Sequence, residues 1–319
     1  MNVLITGVAG FIGSNLVERL LNKGHFVIGI DNFDILYDSR FKINNLSEAL
    51  KNENFEFSSL DIREDTALKL IFSKHKIDVV VHLAARAGVR RSIQEPKIYE
   101  DINVMGTLNI LNLCKEFSIK NLIFASSSSV YGNLDKVPFK ENDFSDRPIS
   151  PYAASKRAGE LLCYTYSQLY NLPITCLRFF TVYGPRQRPD MAIHKFTRLI
   201  DEGKPITMYG DGSSSRDYTY IDDVVDAIVS LIKKPHSYEI INIGNGNQIK
   251  LKYLIELISK ELQKNPIIKQ MPIQQGDVNI TYADITKAKE LINYCPKITI
   301  KQGITKFVSW YKEKKAKKG

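Results

Sequence analysis

Up to about residue 180 the chain repeats one unit, a short apolar run followed by a helical pattern. "NVLIT" precedes "FIGSNLVERLLNK", and "FVIGI" follows. "FEFSSL" leads through a helix ending near Lys74 to "DVVVHLA", and the helical "TLNILNLCKEF" leads to "NLIFAS". A helix after Pro151 then leads to "PITCLRFF". Continuous apolar strands separated by helices are buried on both faces, which predicts an α/β fold with a doubly wound, Rossmann-like parallel sheet. Beyond about Thr181 the pattern loosens. Glycine- and proline-rich stretches ("YGPRQRP", "YGDGSSS", "NIGNGN") mix with short strands and helices. The 319 residues therefore divide into a Rossmann-like domain over 1–180 and a smaller mixed α/β C-terminal region over 181–319, some of whose segments return to the first domain.

Composition narrows the class. The chain is 44% hydrophobic and 25% charged, the make-up of a soluble globular protein. No apolar run approaches the ~20 residues that span a bilayer, so no membrane partner is expected. The start, "MNVLITGVAG", reads as a strand rather than a signal peptide. Cys114, Cys163, Cys176 and Cys295 form no CxxC pair and are expected to be reduced in a cytoplasmic protein. The net charge of +9 is partly local, because "WYKEKKAKKG" reads as a solvated helix end. The rest suits a polyanionic ligand. No aromatic-interleaved basic stripe points to nucleic acid.

"TGVAGFIG" joins the first strand to the first helix. Gly7, Gly10 and Gly13, with Phe11 and Ile12 between them, allow a tight turn and let backbone amides approach a pyrophosphate. Asp31 ends the next strand, followed by Asn32, where a ribose diol would be hydrogen-bonded. A carboxylate there repels a 2′-phosphate, which favours NAD over NADP. Asp61, followed by Ile62, closes the third strand within reach of an adenine.

"NLIFASSSSVYG" ends a strand in Ser126–Ser129, at the sheet edge where ligands bind, so their hydroxyls are expected to face the cofactor. Tyr152 and Lys156, four residues apart in "SPYAASKRAGE", share one helix face. A hydroxyl, a phenol and an ammonium around a nicotinamide make a proton-and-hydride device. The ammonium and the ring charge are expected to lower the tyrosine pKa toward neutrality, making Tyr152 a general base. His82 reads as a strand-end residue. No Ser-His-Asp or metal-ligand spacing is present.

These motifs resemble the extended short-chain dehydrogenase/reductase family over nearly the whole chain. The resemblance implies Ser127, Tyr152 and Lys156 as the catalytic set, with Ser128 and Ser129 facing the substrate. It implies Asn103, and Leu83, Ala84 and Ala85 of "HLAARAGV", along the dinucleotide, which Tyr152 and Lys156 also touch. Nucleotide-sugar 4,6-dehydratases carry an Asp-Glu pair where this chain has Ser128 and Ser129, and the glutamate of glucuronate decarboxylases is missing too. Epimerisation remains.

"RFFTVYGPRQRPDMAIHKF" and "MPIQQGDVNITYAD" are similar to UDP-glucuronate 4-epimerases. By this resemblance Arg188 faces the sugar carboxylate and Thr181 a hydroxyl or the same carboxylate. Tyr209 flanks uracil, and Arg216 and Asp277 contact diphosphate and ribose. Arg86 and Gln275 depart from the family pattern. The resemblance further implies bound NAD, a UDP-sugar substrate and a homodimer paired through helices near 104–117 and 153–170. UDP-glucose, UDP-N-acetylglucosamine and a non-catalytic NAD-binding role are the alternatives.

Overall fold

The computed structural model describes residues 1–134, 136–273 and 278–316. Its centre is a seven-stranded sheet in which every pairing is parallel. Six of its strands come from the first part of the chain: β1 (Asn2–Thr6), β2 (Phe26–Asp31), β3 (Phe55–Ser59), β4 (Val79–His82), β5 (Leu122–Ser127) and β6 (Ile174–Phe179). Short strands follow as β7 (Thr181–Tyr183), β8 (Ile206–Tyr209), β9 (Ser215–Arg216) and β10 (Tyr218–Tyr220). The seventh sheet strand is β11 (Tyr238–Ile243), and β12 (Ile249–Lys250) and β13 (Ile268–Met271) complete the set. The main sheet runs β11-β6-β5-β4-β1-β2-β3. The chain winds outward in both directions from β1 and β4, so a crevice opens beyond their carboxyl ends.

Helices cover both faces. In chain order the α-helices are α1 (Phe11–Leu21), α2 (Ser39–Leu46), α3 (Asp65–Lys74), α4 (Val89–Gln94), α5 (Pro96–Glu100), α6 (Gly106–Glu116), α7 (Pro151–Tyr170), α8 (Ala192–Asp201), α9 (Ile221–Ile232), α10 (Leu251–Leu262), α11 (Thr286–Ile292) and α12 (Ile300–Ala316), of which α8, α10 and α12 pack with one another. Alternation along the strands divides the core in two. Val3, Ile5 and Val81 pack with Leu16 and Leu20 of α1 and Ile228 of α9. Leu4, Val80 and Phe124 face the other way, with Phe72 of α3, Leu111 of α6 and Cys163 of α7. All four residues of β4 and all six of β5 are buried, which explains their apolar runs up to the polar carboxyl ends at His82 and at Ser126 and Ser127.

The sequence places the change of pattern at Thr181. The later chain builds three two-stranded sheets, β10–β7, β12–β9 and β13–β8. It also returns β11 to the main sheet beside β6 and lays α9 against α1. α7 starts where the sequence suggests. The Ser150 hydroxyl accepts from the Ala153 amide at 3.2 Å, and Pro151 occupies the first turn. Among the described residues, no helix is long and apolar enough to cross a membrane, and no cluster of three or more His, Cys, Asp or Glu side chains could hold a metal.

Candidate active site

A cleft of about 470 Å³ lies at the carboxyl ends of the central strands, bordered by residues of both parts of the chain. Gly7, Gly10, Phe11, Ile12 and Gly13 form one wall. Gly7 has φ +72°, and a Cβ there would stand 2.7 Å from the Ala84 amide nitrogen. A Cβ on Gly13 would stand 2.3 Å from the Gly7 carbonyl oxygen. Only glycine lets this turn close and leave its amides against a ligand, so the residues fit a dinucleotide pyrophosphate.

Asp31 ends β2 inside the cleft and accepts from the Ala9 amide (3.1 Å) and the Phe33 amide (2.8 Å). Buried Lys42 of α2 stands 3.5 Å from it, a partner with no local motif to announce it in the sequence. Asp61 accepts from Asn32 at 2.7 Å and from Arg63, whose guanidinium holds the carboxyl down to about 2. Ile62, Leu83, Ala84 and Ala85 complete the apolar lining on this side.

Asn103 does not line the cleft. It sits in a π-helical turn, Asp101–Met105, and its amide is consumed internally. The side chain accepts from the Arg86 amide (2.7 Å) and donates to the Arg86 carbonyl (3.0 Å) and the Ser155 hydroxyl (2.9 Å). It braces the segment after β4 against α7. His82 lies buried between the Thr6 hydroxyl (2.6 Å) and the Thr107 hydroxyl (3.1 Å). Burial pushes it down to about 3, so it stays neutral and structural, as its strand-end position implies.

Ser127, Ser128, Ser129, Tyr152 and Lys156 all border the cleft. The Ser127 hydroxyl donates to that of Ser129 at 3.1 Å and accepts from the Ser129 amide at 3.2 Å. Ser126 departs from the expectation for the four serines. It borders the cleft, but its hydroxyl is spent on buried Glu160, to which it donates at 2.6 Å, because successive residues of a strand face opposite sides.

The expected depression of Tyr152 by Lys156 is corrected as well. Burial raises the phenol above its ordinary value, and the groups pulling it back are the Ser127 hydroxyl and the Arg188 charge. The Lys156 ammonium instead donates to the Ala125 carbonyl at 2.7 Å, and burial lowers it to about 8. Taking either charged form out of water is costly, and this outweighs one turn of helical proximity.

On the opposite wall Thr181 opens β7, and Arg188 enters from the loop before α8. Arg188 is already engaged. Its Nε and Nη2 donate to the two oxygens of Asp190 at 3.0 and 2.6 Å, and its Nη1 donates to the Ala87 carbonyl at 3.2 Å. Burial opposes both charges, and their pairing outweighs it, holding Asp190 below and Arg188 above its usual value. Arg86 lines the cleft too, but its charge is neutralised by Asp34 (2.9 Å) and Glu95 (3.0 Å).

Tyr209 and Arg216 do not border the cleft. The Arg90 guanidinium stacks on the Tyr209 ring, 4.6 Å from its centroid. Arg216 donates to the carbonyls of Ser215 (2.9 Å) and Asn279 (3.2 Å). Both are held by contacts at the margin of the C-terminal sheets. Asp277 and Gln275 lie outside the described residues.

The family profile described as GDP-mannose 4,6 dehydratase matches residues 4–307. The UDP-glucuronate 4-epimerase of Thermodesulfobacterium geofontis (strain OPF15) is 47% identical over 311 residues, which cover 97% of this chain and 96% of that one. The chain belongs to the NAD-dependent nucleotide-sugar epimerase family. Among solved members, the Bacillus cereus UDP-glucuronic acid 4-epimerase, in complex with UDP-glucuronic acid and NAD, superposes with a TM-score of 0.93 at 38% identity. That alignment covers 98% of this chain and 99% of the other. The UDP-glucose 4-epimerase of Thermotoga maritima, with UDP-glucose, reaches 0.90 at 34% identity over 98% of this chain and 99% of its own. Epimerases and dehydratases of this family share one scaffold, so the family profile alone does not fix the reaction.

Proposed function

We propose that this epimerase inverts C4 of UDP-glucuronate to give UDP-galacturonate through a transient 4-keto sugar. The observation that carries the reading is Arg188, a guanidinium that lines the same cleft as Ser127 and Tyr152. An arginine near the group that handles C4 is placed for a carboxylate at C6, and its planar fork suits that group better than lysine would. Ser128 and Ser129 supply no acid/base pair for eliminating water.

The glycine cradle and Asp31 would hold NAD. When bound, the nicotinamide would supply a hydride acceptor for C4 in its oxidised form and a hydride donor back to C4 once reduced, and the oxidised ring's positive charge would favour the phenolate. Tyr152 takes the C4 hydroxyl proton, with Ser127 hydrogen-bonding the same oxygen. Lys156, fixed to Ala125, holds positive charge behind them. The sugar swings about its diphosphate link and presents its other face, and Tyr152 returns the proton. Arg188 and Thr181 keep the carboxylate out of line with the ketone, since a β-keto acid aligned with it would lose CO2.

A second reading, a neutral UDP-hexose substrate, is favoured by one fact: Asp190 already neutralises Arg188. Incubating the enzyme separately with UDP-glucuronate, UDP-glucose and UDP-N-acetylglucosamine, and reading products by NMR, tests both. Conversion of UDP-glucuronate at the highest kcat/KM supports the proposal. Preference for a neutral sugar refutes it, and no turnover with any sugar favours a non-catalytic role. Exposed Leu161, Tyr164 and Leu169 on α7 support the expected homodimer, for which light scattering should give twice 36.3 kDa.

A further inference from the structure

Behind the catalytic strand lies an ionic cluster centred on the fully buried Glu160 and Arg178, which the reaction itself does not touch. Glu160 stands one turn after Lys156 on α7 and is shielded from solvent. One carboxylate oxygen accepts from the Ser126 hydroxyl at 2.6 Å and the Arg178 Nε at 2.8 Å. The other accepts from Arg178 Nη2 at 2.9 Å and Arg157 Nη1 at 3.0 Å. Arg178 sits on β6 in register with Ser126 on β5, so one carboxylate clamps two strands and the helix. Burial alone would push this carboxyl up, and the Arg178, Ser126 and Arg157 contacts together hold it below the usual carboxylate range.

The geometry points to Glu160 as a positioning residue that sets where Ser127 lies relative to Tyr152 and Lys156. Two rungs join α7 to the end of β5: Lys156 to the Ala125 carbonyl, and Ser126 to Glu160. They flank adjacent residues of one strand. The next residue is Ser127, and the next turn of helix toward the N-terminus carries Tyr152. Removing the second rung lets the strand end slide or twist against the helix while Ser127, Tyr152 and Lys156 themselves stay chemically intact. A buried ion pair is weak evidence for a purely stabilising role, because apolar packing of similar volume often stabilises as well or better. This inference rests on the proposed roles of Ser127, Tyr152 and Lys156.

The test compares Ser126→Ala, Glu160→Gln and the double variant Glu160→Leu/Arg178→Leu with wild type, measuring Tm, bound NAD, and kcat and KM on the best UDP-sugar. Ser126→Ala removes the rung but leaves Glu160 paired with both arginines. It is expected to keep its NAD, its KM and nearly its Tm while kcat falls by about 3- to 100-fold, the upper figure matching a misplacement of about 1 Å. Glu160→Gln should lose at least as much kcat. The double variant should regain Tm relative to Glu160→Gln without regaining kcat. Unchanged kcat in Ser126→Ala would overturn the inference, and so would full turnover in the double variant. If the double variant fails to fold, Ser126→Ala decides alone. Wild type without turnover on any UDP-sugar would refute the proposed function instead, so the two failures are distinguishable.

Discussion

The two walls of the cleft are built in different ways. The dinucleotide wall presents glycines, apolar residues and the carboxylates Asp31 and Asp61 at or just beyond the ends of β1, β2, β3 and β4, positions fixed by the sheet itself. The sugar wall presents long charged side chains whose positions depend on partners, Arg188 on Asp190 and Ala87, and Arg86 on Asp34 and Glu95. A strand end places a residue through backbone pairing, and little side-chain entropy is involved. An arginine on a loop must be oriented by other side chains, and the same partners compete with the ligand for its donors. Cofactor recognition is therefore expected to tolerate changes in the loops, while sugar recognition should respond to single substitutions in the charge network.

The sharpest way to break this comparison is at the junction of the walls. Tyr152→Phe keeps the ring in place and removes only the proton-carrying oxygen, so turnover should fall by about 100- to 10,000-fold while UDP-sugar affinity stays near wild type. Steady-state kinetics paired with titration calorimetry checks this, and activity within threefold of wild type would remove Tyr152 from its role.

The dinucleotide wall is tested by cofactor choice. Like-charge juxtaposition costs several kcal/mol, so Asp31 should favour NAD over NADP by about 100-fold or more. Lys42 lies beside it and softens the repulsion, and Asp31→Ser should narrow the gap by leaving that ammonium facing a 2′-phosphate. Calorimetry of both dinucleotides, with equal affinities for wild type, would contradict the reading.

The sugar wall is tested by Arg188→Ala. A charge-assisted pair contributes about 1.5–3 kcal/mol, so UDP-glucuronate should bind roughly 10- to 100-fold more weakly. UDP-glucose, which has no carboxylate, should be barely affected. Mass spectrometry should also find a fraction of turnovers ending in a 4-keto-pentose and CO2. Equal losses for both sugars would make Arg188 a structural cation held by Asp190.

The contrast between the walls also explains how much was legible in the sequence. The alternation of apolar runs and helices points to the parallel sheet, and motifs at strand ends and at the start of α7 point to the cleft positions of Gly7, Asp31, Ser127 and Tyr152, because each is set by its own element. The partners are distant in sequence: Arg178 lies eighteen residues from Glu160 and Thr107 twenty-five from His82. No local pattern announces such pairs. Ser126 reads as one more hydroxyl for the cofactor, and although it borders the cleft its hydroxyl is spent on Glu160. Asn103 looked like a ligand contact, and the π-helical turn spends its amide on Arg86 and Ser155. Lys156 looked like the charge that sets Tyr152, and only the packing shows it drawn to Ala125.

The central claim is that one hydride leaves C4 and returns to C4 without escaping the site. UDP-glucuronate deuterated at C4 tests it directly, with enzyme carrying its own NAD and none added. The expected product is UDP-galacturonate that keeps the deuterium at C4, read by NMR and mass spectrometry, with no label in the solvent. Loss of the label to water would contradict hydride return and point to proton abstraction at carbon, and unchanged starting sugar would contradict epimerisation of this substrate altogether.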